Sequence, residues 1–181
     1  MASIQMHALR LFRELGYNSA TVEQIAEAAE ISPSTFFRYF ATKEDVIITD
    51  SYDSILVEAF ENQPPDLSPL QAVRAAMMTG ISGMSEQEII AMRERNQLIM
   101  HVPELRAALL NNMMSTMKMI AEMVAKRVGS SPDDFSVRTL AGAIIGVNIS
   151  VMMQHAEHPD LEFADLMEEA MTQLEKGLPL Q

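Results

Sequence analysis

Cysteine and tryptophan are absent from this 181-residue chain, and glycine (7), proline (8) and aromatic residues (6%) are sparse. Without cysteine there is no disulfide scaffold, no Cys-ligated zinc, no redox dithiol and no thiol nucleophile. So little glycine and proline, with no low-complexity run, argues against disorder and collagen-like repeats. No apolar stretch reaches the roughly 20 residues that a membrane span needs. The longest uncharged one, Thr139 to Gln154, has 16 residues and contains Asn148 and Ser150, so it reads as a buried helix. Met1 to Leu15 carries Arg10 and Arg13 inside its apolar periodicity, unlike a signal peptide. The expectation is a cytoplasmic, soluble protein with no membrane partner.

Basic residues are also in deficit: 13 Lys and Arg stand against 25 Asp and Glu, for a net charge of −12. A polyanion-binding protein usually carries a basic surplus, so bulk charge gives no support for a nucleic-acid partner. Any such function has to come from local pattern. Patterns for catalysis are missing too, with no Gly-x-Ser-x-Gly and no Gly-rich phosphate loop. Glu168 and Glu169 are sequence neighbours and face differently on a helix. No enzyme activity and no cofactor are expected. His155-Ala-Glu-His158 with Asp160 could put two imidazoles on one helix face, but a third ligand at a recognised spacing is lacking. These read as helix-end histidines near the C-terminal dipole, and no metal is expected.

What is present is helical periodicity almost throughout. Ile4, Ala8, Leu11, Phe12 and Leu15 share a face, and Gly16 supplies a stop. Thr21-Val-Glu-Gln24 matches a capping box, followed by the apolar positions Val22, Ile25, Ala26 and Ala29. Ser32-Pro33 pairs an N-cap residue with Pro at the first helical position of a short third helix, to about Phe40. Thr42-Lys-Glu-Asp45 opens a fourth, longer helix running to about Asn62. Gln63 to Pro69 breaks the pattern and divides the chain into two unequal parts. Ser68-Pro-Leu-Gln71 restarts helix, Ser85-Glu-Gln-Glu88 begins another to about Met100, and Pro103 begins the longest, to Gly129. Ser131-Pro-Asp-Asp134 opens an eighth, and Phe163 to Leu174 forms a ninth. The fold class is all-α, about nine helices, with a three-helix N-terminal head and a larger C-terminal helical bundle.

Thr21–Ala29 and Ser32–Phe40 have the dimensions of a helix-turn-helix. Ala26 is small where the helices cross, and Ile31 and Phe36 can lock their angle. Outward positions Ser34, Thr35, Phe37, Arg38 and Tyr39 carry donors, a cation and aromatic surface, which suit base edges, thymine methyls and phosphates. Ala8 to Tyr17, Thr21 to Ala26 and Ile31 to Phe40, followed by Lys43-Glu44, resemble in register the tetracycline-repressor (TetR) family of bacterial transcription regulators. The resemblance covers about the first 47 residues and implies a DNA-binding domain over 1–47 and a ligand-binding and dimerisation domain over 48–181. Around Pro103 to Leu110 the chain looks like a branch that includes acyl-CoA-responsive regulators.

By position, the resemblance implies that Thr21 caps the second helix beside a phosphate. Pro33, Ser34 and Phe37 then face the major groove, while Thr35, Arg38 and Tyr39 lie against groove edge and backbone. Lys43 pairs with a phosphate. Two departures stand out. Glu30 occupies a turn position that is usually Gly, and Met1 to Met6 lacks the basic segment the family tends to have. Residues 1–50 hold four cations against seven carboxylates.

In the larger part, Gly142 and Gly146 lie four apart on one helical face, where small residues let another backbone approach. With Ile145 and Ile149, and with Phe163, Met167, Ala170 and Leu174, they give a candidate two-fold four-helix interface of a homodimer; ordinary packing within the chain is the alternative. Of 16 methionines, 14 lie after residue 76. Core filling explains most of them, because Met adapts to irregular space. Met84, Met92, Met113, Met117, Ile120, Met123 and Asn148 are the candidate lining of a pocket for a small hydrophobic effector, an acyl-CoA-like one included. Arg93, Arg95 and Arg106 would meet a charged head group, or simply form a solvated face.

The combined reading is a homodimeric repressor on a palindromic double-stranded operator, released when an effector favours another spacing of the heads, with Lys43–Asn62 as hinge. The different-class alternative is a helical small-molecule sensor or protein-interaction module with a degenerate DNA-binding head.

Overall fold

The computed structural model describes residues 1–49 and 52–179, and every regular element among them is a helix. In chain order these are α1 (Ala2–Leu15), α2 (Val22–Ala28), α3 (Pro33–Tyr39), α4 (Asp45–Ile48), α5 (Tyr52–Glu61), α6 (Pro69–Ser82), α7 (Glu86–His101), α8 (Pro103–Val128), α9 (Phe135–Glu157) and α10 (Phe163–Glu175).

Most ends fall where side-chain chemistry puts them. Gly16 closes α1 with φ 81°, a conformation that costs glycine little. Thr21 and Ser68 both form reciprocal capping boxes with a Gln three residues on. At the start of α7, the Ser85 backbone N–H and hydroxyl both donate to the Glu88 carboxylate. The Asp134 carboxylate accepts from the Ser136 and Val137 N–H groups and so starts α9.

One expectation needs correction. The helix read from the sequence as continuous from Lys43 to Asn62 is two elements, and its residues 50 and 51 lie outside the described part. Val46, Ile47, Ile48 and Thr49 form a run of β-branched residues, which lose side-chain freedom in a helix. Thr49 leaves helical geometry at φ −74°, ψ 129°, and its carbonyl accepts a hydrogen bond from the Gln5 side-chain amide. A distant polar partner thus takes a carbonyl that the next turn would have used.

The chain forms two compact units, residues 1–50 with 90–112 and residues 51–89 with 113–181. In the first, Ile4, Ala8 and Phe12 of α1 pack with Ile25, Phe36, Phe40, Val46 and Ile47. Ile99 and Leu105, from far along the chain, complete that core, with Leu105 wholly buried. Arg13 also pairs with Glu94 at 3.0 Å.

In the second unit, α6 packs on α5 and α10, and α10 packs on α9. Ala72, Val73, Ala76 and Met77 of α6 are buried, as are Ala141 and Ile144 of α9 and Met171 of α10. At the margin of this core the Arg74 guanidinium meets Thr172, Glu175 and Glu168 at 3.0, 3.2 and 3.6 Å.

Candidate nucleic-acid interface

The turn between α2 and α3 is a C-cap built without glycine. The Ile31 N–H donates to the Ala26 carbonyl (2.9 Å) and the Glu30 N–H to the Glu27 carbonyl (3.0 Å), the paired bonds of a Schellman ending. That geometry requires a left-handed residue between them, and Glu30 adopts it at φ 56°. The missing glycine is therefore tolerated, at a cost of roughly 1 kcal/mol. Ala26 is wholly buried, which lets the two helices approach, and Phe36 and Phe40 are buried beneath α3.

Above that floor the outward side chains of α3 are presented to solvent. Pro33, Ser34, Phe37, Arg38 and Tyr39 are all exposed, and Thr35 is half-buried. Phe37 is 52% exposed and Tyr39 46%, a large aromatic surface open to solvent. Phe37 rests edge-on against the buried Phe36 ring, with centroids 5.5 Å apart. The Arg38 guanidinium sits 5.3 Å from the Tyr39 ring centre. Ser32 caps α3 by accepting from the Thr35 N–H at 3.1 Å. Its hydroxyl also lies 2.8 Å from that of Ser34 and 2.9 Å from that of Thr35. These hydroxyls are tied together at the helix start, so Phe37 and Arg38 are the side chains best placed to reach outward.

Thr21 is exposed at the start of α2, with its capping box in place. Lys43, for which the resemblance implies a phosphate contact, has its ammonium turned toward the first unit. It is half-buried, donating to the Tyr17 and Ala20 carbonyls at 2.7 and 3.0 Å and lying 4.1 Å from the Tyr17 ring centre.

This geometry is that of a helix-turn-helix, and the comparisons agree. Residues 6–48 match the family described as bacterial regulatory proteins, tetR family, and residues 67–179 match the MftR C-terminal domain. The chain belongs to the TetR family.

Two curated relatives frame its place there. It is 32% identical over 145 residues to MftR of Mycobacterium tuberculosis, named as a mycofactocin biosynthesis transcriptional regulator, covering 79% of this chain and 73% of MftR. It is 35% identical to the HTH-type transcriptional regulator TcmR of Streptomyces glaucescens over 134 residues, 70% of this chain and 59% of TcmR. The aligned part thus spans about three-fifths of TcmR's length. Among solved structures, Thermus thermophilus FadR in complex with lauroyl-CoA shares the fold. Its TM-score is 0.60 at 20% identity, over 99% of this chain and 95% of FadR.

Of the residues expected to line an effector pocket, Met92 belongs to the first unit and the others to the second. Met113, Ile120 and Met123 on α8 are buried, whereas Met84, Met117 and Asn148 are half-buried. The second unit carries an open groove of about 480 Å³ between α5 and α8, floored by Val57, Phe60, Met119 and Met123. Its rim holds Glu61, Glu122, Lys126 and Arg127. Met123 alone is shared with the expected set. Leu56 and Phe60, one turn apart and both 3% exposed, are the sequence signal for that buried side of α5.

The candidate interface also divides. Met167 is 1% exposed, Ile145 8% and Phe163 9%, so these three are already buried within their own chain. Phe163 lies edge-on to the buried His155, ring centroids 5.4 Å apart. Gly146 is exposed, and Gly142, Ile149, Ala170 and Leu174 are half-buried. A methyl built on Gly146 would meet nothing within 4 Å.

Proposed function

We propose that this TetR-family chain is a ligand-responsive DNA-binding transcriptional regulator, acting as a homodimeric repressor on a palindromic operator. The observation that carries the proposal is the α2–turn–α3 unit, whose buried side is Ala26, Phe36 and Phe40 and whose open side is Pro33, Ser34, Phe37, Arg38 and Tyr39. An α-helix of this kind fits the major groove, where Phe37 can meet thymine methyls and Arg38 a phosphate or a guanine edge. Thr21 and Thr35 would hold the backbone on either side.

A second copy is supported by α9. Contrary to the sequence expectation of a buried helix too short to span, it is long and apolar enough to cross a membrane by length and composition, with mean hydropathy 1.5, and only 33% of that apolar window is buried within the chain. Gly142, Gly146, Ile149 and Met153 recur at helical spacing along it. An uncovered apolar face of that kind is an association surface by default, and a matching α9 would give a closed two-fold contact.

For the effector we propose a small hydrophobic molecule, of the acyl-CoA class to which FadR's lauroyl-CoA belongs, taken up by the second unit. Its control of DNA binding is differential affinity. A preference of about 100-fold for the non-binding state supplies about 2.8 kcal/mol, enough to vacate a moderately held operator.

The test is a gel shift on duplex DNA from the region beside the protein's own gene, with and without acyl-CoAs, fatty acids and aromatic compounds. Salt-dependent binding that Arg38→Ala weakens supports the reading. An intact, folded protein that retards no duplex overturns it in favour of a sensor with an idle head.

A further inference from the structure

Two helices run through both units. α7 enters the first unit at residue 90, and α8 leaves it after residue 112. Between them the chain turns at Val102. The Val102 N–H donates to the Leu98 carbonyl at 3.1 Å, and the Val102 carbonyl accepts from the Arg106 N–H at 3.0 Å, so hydrogen bonding carries through the corner. That corner is gripped by the DNA-reading head. Ile99 and Leu105 are buried in the core that holds Phe12, Phe36 and Ile47, and Leu98, Val102, Ala108 and Leu109 pack against it. On α7, Glu94 is tied to Arg13 of α1 at 3.0 Å.

α8 is stiff along its whole length. After Pro103 it contains neither Gly nor Pro, the usual causes of a sharp kink. Its far half is anchored in the second unit, where Met113, Ile120, Met123 and Val124 are buried. Arg127 donates to the carbonyls of Pro64 and Leu67, and Met119 and Met123 floor the groove beside Phe60. Leu105 and Met123 are about five turns and roughly 27 Å apart on the same face of the helix. The direct chain link, in contrast, leaves helical geometry at Thr49. One continuous helix thus has a buried foothold at each end. Packed cores repack between discrete arrangements and do not yield gradually, so a shift at one foothold is felt at the other.

We propose that α8 is a rod through which an effector held by the second unit acts on the DNA-reading head, delivering its displacement at Leu105 and the α7–α8 corner. This deepens the DNA-binding and effector readings above and rests on them. Coupling between two sites is reciprocal. DNA bound by the head must therefore register in the second-unit half of α8, residues 113–128. The transmission can be read from the DNA side alone, with no effector in hand.

The experiment selects an operator from a random duplex library with the wild-type protein, then follows amide hydrogen exchange by mass spectrometry with and without that duplex. In the wild type, operator slows exchange in the head and also, by about fivefold, in peptides covering residues 113–128. Ser115 is exposed on α8 just beyond the unit boundary. Ser115→Pro removes a helical hydrogen bond there and kinks the rod, so operator protects the head and no longer reaches residues 113–128. Ser115→Ala keeps the helix and transmits as the wild type does. Circular dichroism melts establish folding, and Asn111→Gly with Ser115→Gly, a milder loosening at two exposed positions, takes the place of Ser115→Pro if that variant does not fold.

Operator protection that stops before Met113 in the wild type overturns the proposal. Full protection of residues 113–128 in the folded, interrupted variant overturns it as well, because the signal then travels by another route. Loss of that protection in Ser115→Ala would assign the effect to the hydroxyl and overturn it too. Failure of the wild-type protein to select any duplex would instead remove the DNA-binding reading on which it rests.

Discussion

A methyl group built on Gly80 would lie 3.0 Å from the Tyr52 hydroxyl oxygen and 3.2 Å from its ring Cε2. The ring cannot easily withdraw, because its hydroxyl donates to the Met77 carbonyl at 3.0 Å. Alanine in a helix interior gains about 0.5–1 kcal/mol over glycine, whereas overpacking costs about 1–3 kcal/mol. Gly80→Ala is therefore expected to lower Tm by about 2–4 °C. In a Tyr52→Phe background, which lacks the nearest atom, the same substitution costs less. Equal costs in the two backgrounds would show that the contact is not what excludes a side chain.

Glu30 holds a left-handed conformation in a turn that glycine would enter at little cost. Glu30→Gly should raise Tm by about 1–2 °C, the removed strain of roughly 1 kcal/mol exceeding the roughly 0.5 kcal/mol of extra freedom in the unfolded chain. A lower Tm would mean that the Glu30 side chain contributes more than its backbone costs.

The Glu44 carboxyl is held below its ordinary value of 4.5. Burial pushes it up, but the hydrogen bonds from Tyr17, from the backbone and from Thr42, with the charge of Lys43, outweigh that. The folded state thus binds fewer protons at this group than the unfolded chain does. Its contribution to stability is present above about pH 4.5 and is lost as pH falls through the depressed folded value. Urea midpoints at about pH 7 and about pH 3.5 should differ less in Tyr17→Phe than in the wild type, since the main lowering contact is gone. An identical acid loss in both proteins would break the assignment.

Charge is unevenly divided. The first unit carries seven cations and nine carboxylates, and the second six and sixteen. Even with Arg93, Arg95 and Arg106 the first unit has no basic surplus. Arg13 is paired with Glu94 as well. DNA affinity should therefore fall only shallowly with salt, with a log–log slope of about −2 to −4 per half-site. Arg38→Ala should flatten it further. A slope near −10 for the dimer would show phosphate contacts from elsewhere on the chain.

The open surface at Gly146 gives a clean handle on association. A Cβ there meets nothing within 4 Å in the monomer, so Gly146→Glu should leave the helical fold intact and even favour it. In a dimer packed on α9 it would bury a charge. Sedimentation should show the wild type as a dimer and the variant as a monomer at micromolar concentration. A variant that stays dimeric would move the interface off this face.

The all-helical architecture was readable because helix ends are written locally. The Thr21, Ser32 and Ser68 caps, Pro33, Pro69 and Pro103 at first turns, and Gly16 as a stop all act within four residues of their position. The helix-turn-helix was readable for the same reason, since Ala26, Phe36 and the α3 surface are a short contiguous code. What escaped detection depends on distant partners. The break at Thr49 needs Gln5, although the run of β-branched residues before it was a warning. The inward turn of Lys43 needs the carbonyls of Tyr17 and Ala20, and the burial of Met167 needs its neighbours on other helices. Methionine, which packs almost anywhere, gives no register for a pocket.

Ile99 and Leu105 lie in the same core as Phe12 and Ile47, though the whole of α5 and α6 intervenes in sequence. The reader is consequently not a detachable cassette. A chimera that transplants the first 50 residues onto a foreign sensor would strip two wall pieces from its interior and leave the aromatic floor under α3 wet. Swapping operator preference between regulators of this build requires carrying a discontinuous graft, or repainting the outer face of α3 alone.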